Sequence, residues 1–175
     1  MTPGAVPADD AADAAGAGAA CQRVRGVILV GTIVVGVDGS AGSQEALSFA
    51  VAEARLRKAR LKVISAWSLT YVAAPIGMMA PIDDALLPEL QDNARAVVDA
   101  AVADAVGGVA DIEIEKAIAE GSPAKVLVDA AQGADLLVVG TRGHGGFAGL
   151  LLGSVSQQIV HHAPCPVVIV PYARG

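Results

Sequence analysis

The chain has 175 residues, of which 54% are hydrophobic and 3% aromatic, and it carries a formal net charge of −6. A chain of this length suits one domain, with ample apolar material for a core that Val, Leu, Ile and Ala must fill. The acidic balance argues against nucleic acid as a partner, because proteins that bind polyphosphate backbones concentrate basic residues on one face.

Residues 1–20, MTPGAVPADDAADAAGAGAA, have no basic start and no strongly apolar block, so they fail as a secretory signal. The GAA before Cys21 lacks the bulky aliphatic residue of a lipoprotein cleavage site. Residues 1–29 therefore read as a disordered Ala/Gly/Asp-rich tail, and 30–175 as the domain. Cys21 and Cys165 cannot build a disulfide framework, and the pattern suits a reducing cytosol. The apolar run VILVGTIVVGV is eleven residues long, too short to cross a bilayer, and no membrane partner is expected.

Residues 32–38, TIVVGVD, are continuously apolar and β-branched, as in a strand buried on both faces. A helix follows from Ser40, with Ala46, Leu47, Ala50, Val51 and Ala54 at spacings of three and four, and with Ser40 or Ser43 as its N-cap. The basic cluster RLRKARLK, residues 55–62, reads as the end of that helix and the start of a strand, its cations complementing the helix dipole. LKVISAW, residues 61–67, is the second strand. The loop after it holds Met78 and Met79, expected over the pocket mouth or in the core.

A long helical pattern spans about residues 83–106 and closes at Gly107 and Gly108; Asp83 and Asp84 suit its start rather than an acid/base pair. Alternation over residues 112–118 predicts a strand with one more exposed face. Ser122 and Pro123 open the next helix and Gly133 ends it. ADLLVVG, residues 134–140, is another buried strand, residues 153–162 form a last helix, and PVVIVP, residues 166–171, the last strand. This alternation predicts an α/β doubly wound five-stranded parallel sheet with helices on both faces. Ligands bind such sheets beyond the carboxyl ends of strands, here at Asp38-Gly39-Ser40 and from Gly140 onward.

Six glycines fall in residues 140–153, and each costs more backbone entropy on folding than another residue would. A phosphate cradle is one reason for them: Gly140 and Gly143 bend the chain, Gly153 admits a phosphate to the main chain, and Ser154 donates its hydroxyl at a helix start. The other is a tight turn and nothing more. Asp38 is placed to accept a ribose hydroxyl or to hold a cation bridging phosphates. Arg142 and His144 either touch phosphate or are solvated loop residues. His161, His162 and Cys165 make a poor metal set, since adjacent helical histidines diverge by about 100°, and no Ser/His/Asp set stands out.

Gly140-Thr-Arg-Gly143, nine residues, then Gly153-Ser154 resembles the G-x-x-G, nine-residue, G-S/T motif of the universal stress protein family. IVVGVDGSAGSQEAL and HHAPCPVVIV resemble that family's two ends, so the resemblance covers about residues 31–170. It implies a cytosolic α/β domain of the adenine nucleotide alpha hydrolase-like type with strand order 3-2-1-4-5. It further implies a homodimer through the last strand, Val167–Val170, and binding of ATP, with Mg2+ as companion ion and cyclic AMP as second choice. Asp38 and the backbone at Ala66 would then face the nucleoside, and Gly140, Gly143, Gly153, Ser154 and Val155 would line ribose and phosphates. The chain departs from the family in its first thirty residues, and Val30 stands where an initiator residue is expected, which makes residues 1–29 a lineage-specific tail or an over-called start.

Three functions compete. One is an ATP-binding regulatory protein of the stress response, with little or no turnover or a slow ATPase. Another is an ATP pyrophosphatase or nucleotidyltransferase, against which stands the turn DGSAGS, with neither an SGG-type nor an HxGH-type signature. The last is a dimerisation or adaptor module that needs no ligand. The phosphate cradle, together with no evident group to activate a nucleophile, favours the first.

Overall fold

A computed structural model describes residues 31–68, 86–108, 111–143 and 152–172. The tail at 1–29, Met78, Met79, the helix start at Asp83 and Asp84, and His144 lie outside the described residues.

Strands and helices alternate in the order β1 (Thr32–Gly36), α1 (Ala41–Arg57), β2 (Arg60–Trp67), α2 (Leu86–Val106), β3 (Ile114–Glu120), α3 (Pro123–Ala130), β4 (Leu136–Gly140), α4 (Ser154–His162), β5 (Val167–Val170). The sheet runs β3-β2-β1-β4-β5 and every neighbouring pair is parallel. Central β1 pairs on both sides, with Val35 opposite Val63 of β2 and Val138 of β4.

Because side chains alternate across a strand, consecutive apolar residues of β1 serve two cores. Ile33 and Val35 pack with Leu47, Ala50 and Ala54 of α1 and Val98 and Val102 of α2 on one face. Val34 packs with Leu137 and Val139 of β4, Leu127 of α3 and Ile159 of α4 on the other. The uninterrupted apolar run in TIVVG is thus the mark of a strand with helices on both faces.

The helix ends follow their sequence signals. Ser40 is the N-cap of α1, its side chain accepting from Ser43 N at 3.2 Å. Arg55 and Arg57 lie in the last turn, where cations oppose the dipole, and Arg55 also pairs with Asp111 at 2.9 Å. Lys58 ends α1 in the left-handed region with φ of 54°, the sole non-glycine there among the described residues. Gly107 and Gly108, past the end of α2, have φ of 61° and 81°, conformations that disfavour a Cβ. Pro123 begins α3 as expected, although Ser122 makes no side-chain capping bond. No helix among the described residues is long and apolar enough to cross a membrane.

β1 and β4 are each two residues shorter than expected, and β3 is shifted along the chain. Alternation places β3 at residues 112–118, whereas it spans Ile114–Glu120. Pairing with β2 decides the position: Leu61 faces Ile114 and Trp67 faces Glu120, with ion pairs Arg60–Glu113 at 2.9 Å and Lys62–Glu115 at 3.1 Å along the same pair of segments. Ile112 mimics the pattern because it packs against the core from outside the strand.

Leu137 is fully buried beneath α3 and α4. Leu137→Ala should lower unfolding free energy by about 3 kcal/mol through lost burial and a residual cavity, measured by urea denaturation. A loss below about 1 kcal/mol would contradict this packing.

Candidate functional site

The chain leaves β1 through α1 on one face of the sheet and leaves β4 through α4 on the other. Adjacent strands whose helices depart in opposite directions leave a crevice between their carboxyl ends, the usual ligand site of doubly wound sheets. Asp38 and the head of α1 form one wall. Gly140, Arg142, Gly143 and the head of α4 form the other.

The α1 wall is an interlocked turn. Asp38 Oδ1 accepts from Ser40 N at 3.0 Å and from the Ser40 hydroxyl, whose oxygen in turn accepts from Ser43 N. The buried Ser43 hydroxyl donates to Ser40 O at 2.8 Å and accepts from Asp38 N at 3.3 Å. Asp38 is exposed at the crevice, with its carboxylate oriented by this turn. Ala66 is half-buried near the end of β2, two residues beyond the Gly36–Ile64 pair, as Asp38 is on β1.

Neither Gly140 nor Gly143 has a positive φ, and close approach of other groups is what their lack of a side chain serves. A Cβ on Gly140 would stand 2.6 Å from Gly42 O, and a Cβ on Gly42 would stand 2.6 Å from Arg142 O. These are backbone contacts that no side-chain rotation relieves. At Gly143 a Cβ would collide with the Asp38 carboxylate. The motif glycines after β4 thus let the two walls meet at their base. Gly153 differs: among the described residues a Cβ there would find only ordinary contact, 3.4 Å from Thr141 O and 3.6 Å from Arg142 Cα.

At the head of α4, Gly153 is the N-cap and has no side chain with which to satisfy the first-turn amides. Gly153 N donates to Thr141 O at 2.7 Å, and the Ser156 hydroxyl donates to Gly140 O at 2.7 Å. Ser154 is exposed and Val155 half-buried, so the helix opens at its positive end onto the crevice. Arg142 is half-buried beside it. Among the described residues every Lys and Arg except Lys58 and Arg142 is in an ion pair, and Lys58 sits at the far end of α1.

Asp38, Ala66, Gly140, Arg142, Gly143, Gly153, Ser154 and Val155 therefore all lie at one end of the sheet, across β2, β1 and β4. Three residues were missed by sequence reasoning as parts of the site: Gly42, Ser43 as the tie to Asp38, and Ser156. Gly42 carried a usable signal, since a glycine inside a helix costs about 1 kcal/mol relative to Ala and so needs a reason. A cavity of about 230 Å3 between α2 and β3, lined by Arg95, Asp99 and Lys116, shares no residue with the crevice. The Lys116–Asp99 ion pair at 2.7 Å already satisfies its charges. Burial first, and then the Asp135 charge, push the Cys165 thiol up, which keeps it protonated and weakly nucleophilic.

The fold defines a doubly wound α/β protein with a crevice at the switch point between β1 and β4. Residues 30–171 match the universal stress protein family, and the chain belongs to that family. It is 38% identical over 141 residues to a universal stress protein of Thermus aquaticus, covering 79% of this chain and 97% of that one. A universal stress protein of Mycolicibacterium smegmatis is 36% identical over 141 residues, which cover 79% of this chain and 47% of that one. The chain thus spans about half the length of the mycobacterial relatives it matches. Among solved structures, universal stress protein UspA from Lactobacillus plantarum superposes with a TM-score of 0.66 at 26% identity, covering 81% of this chain and 97% of the other. A universal stress protein crystallised in complex with cAMP gives a TM-score of 0.51 at 33% identity, covering 81% and 97%.

The two kinds of glycine should respond differently to alanine. Gly140→Ala should cost about 2 kcal/mol, because the methyl group meets the α1 backbone, whereas Gly153→Ala should stay within about 1 kcal/mol of the parent. Urea melts of both variants check this, and equal losses would contradict the close approach of α1 and β4.

Proposed function

We propose that the protein binds an adenine nucleotide in the β1/β4 crevice and acts as a regulatory protein of the stress response with little or no turnover. The observation that carries this reading is the donor set. Among the described residues, first-turn amides of α4 without a capping side chain stand beside Arg142, which is in no ion pair. Helix-terminal amides and arginine together suit a chain of phosphates, the arginine through charge-assisted, two-pronged hydrogen bonds.

In this reading the amides of Ser154 and Val155 and the Arg142 side chain hold the phosphates, while Gly140 and Gly143 keep the base of the crevice tight. Asp38 stands on the opposite wall for the ribose or for a cation such as Mg2+, and the backbone at Ala66 faces the base. His144, which follows Gly143 in the sequence, belongs to the proposed set on sequence grounds. These groups bind and orient anions. Asp38 is the carboxylate among them, and its Oδ1 already accepts from Ser40, which suits positioning rather than proton transfer.

ATP is the preferred ligand, since the α4 amides and Arg142 offer more donors than one phosphate requires. Cyclic AMP is the second reading, supported by the relative crystallised with it. The half-buried β5 strand, Val167–Val170, is a sheet edge suited to pairing with a second copy of the chain, and we place the protein in the cytoplasm.

Protein purified without added nucleotide should release a bound adenylate on denaturation, identified by mass. ATP at a hundredfold excess over Kd should stabilise the fold by about 2.7 kcal/mol. Absence of both would sink the proposal in favour of a ligand-independent module. Gly153→Val should abolish nucleotide binding while leaving the circular dichroism and melting curve close to the parent's, because the branched side chain fills the phosphate approach. Arg142→Ala should weaken ATP binding by about tenfold and reduce its salt dependence, read by calorimetry at two ionic strengths; unchanged affinity would remove Arg142 from the site.

A further inference from the structure

Among the described residues the buried polar side chains are Ser43, Ser65 and Ser156. Ser43 and Ser156 occupy equivalent places, each the third residue of the helix that follows a crevice strand. Serine near a helix start ordinarily bonds within its own turn. Ser43 does so, donating to Ser40 O. Ser156 does not: its hydroxyl, 3% exposed as a residue, leaves α4 and donates to Gly140 O at 2.7 Å, with Thr141 O at 3.3 Å.

A second bond lands on the same pair of carbonyls, from Gly153 N to Thr141 O at 2.7 Å. The first turn of α4 is thereby laced to the end of β4 at two points, a neck that joins residues 140–141 to residues 153–156. With the backbone bond alone, the helix end retains rotation about a single contact. The Ser156 hydroxyl removes that freedom. Because N–H···O bonds weaken steeply with angle, a small rotation of the first turn misdirects every amide aimed at a common anion.

We propose that Ser156 is a positioning residue of the crevice, setting the distance and angle of the Ser154 and Val155 amides relative to Arg142 and Gly143. This rests on the adenylate reading above. Ile159, fully buried one turn further on, keeps α4 docked without the hydroxyl, so the effect of its removal is confined to the helix head.

The test compares Ser156→Ala and Ser156→Thr with Ser48→Ala, which deletes an exposed bond of similar length inside α1, from Ser48 Oγ to Gln44 O at 3.0 Å. ATP affinity is measured by calorimetry, and amide hydrogen exchange at Gly153 is measured by NMR in nucleotide-free protein. Ser156→Ala should weaken ATP binding by about tenfold and speed exchange at Gly153 by a similar factor, Ser156→Thr should restore both to within about threefold, and Ser48→Ala should change neither. A purely global loss of stability leaves nearly all molecules folded and does not move the affinity. Should the alanine variant be too unstable, Ser156→Cys, similar in volume and a poor donor, replaces it.

Wild type that binds ATP alongside a Ser156→Ala variant within about twofold of it overturns this inference and leaves the adenylate reading standing. Wild type that binds neither ATP nor cyclic AMP overturns the adenylate reading and, with it, any role of Ser156 toward a nucleotide. In that case faster exchange at Gly153 in Ser156→Ala still establishes the neck, and unchanged exchange removes it too.

Discussion

Two stretches of backbone touch where α1 begins and β4 ends, and the geometry of the crevice follows from that contact. Gly42 and Gly140 come so close that a single added methyl group on either would lie inside the other segment's carbonyl. Close-packed interiors transmit such overlaps, because neighbouring atoms have no void into which to move. With both side chains absent, the head of α1 rests on the strand beside its own and the crevice floor closes. Gly143 extends the same contact to the Asp38 carboxylate, so the loop after β4 leans on the turn after β1.

Above that floor the electrostatics come from dipoles more than from charges. The chain is acidic overall, and Arg55 and Arg57 of α1, Arg60 and Lys62 of β2 and Lys116 of β3 are matched with carboxylates at 2.7–3.1 Å. Exposed pairs of this kind contribute little stability, but they cancel one another's field. Among the described residues, Arg142 and the amide end of α4 are what remain positive at the crevice.

The seams between elements were the least legible part of the sequence. β1, β2 and β4 read clearly because burial on both faces demands continuous apolar residues, and Ser40, Pro123 and Gly107 marked helix ends through local chemistry. β3 shifted by two residues because pairing with β2 outweighs its own alternation. The motif glycines were legible as a spacing, but their purpose was not: a glycine needed for positive φ and a glycine needed for close contact look identical in a sequence. Gly42 and Ser156 went unread as site residues for the same reason, since the partner of each lies about a hundred or sixteen positions away along the chain.

The amino-acid order alone settled the α/β class, the number of strands and the ends of most helices, because these depend on residue type and on neighbours within a few positions. Only the folded molecule decided which backbone segments press together, which cations among the described residues are left without a carboxylate and which serine reaches out of its own helix. Those are properties of distance in space, and the chain reveals them only when strand order brings β1 and β4 side by side.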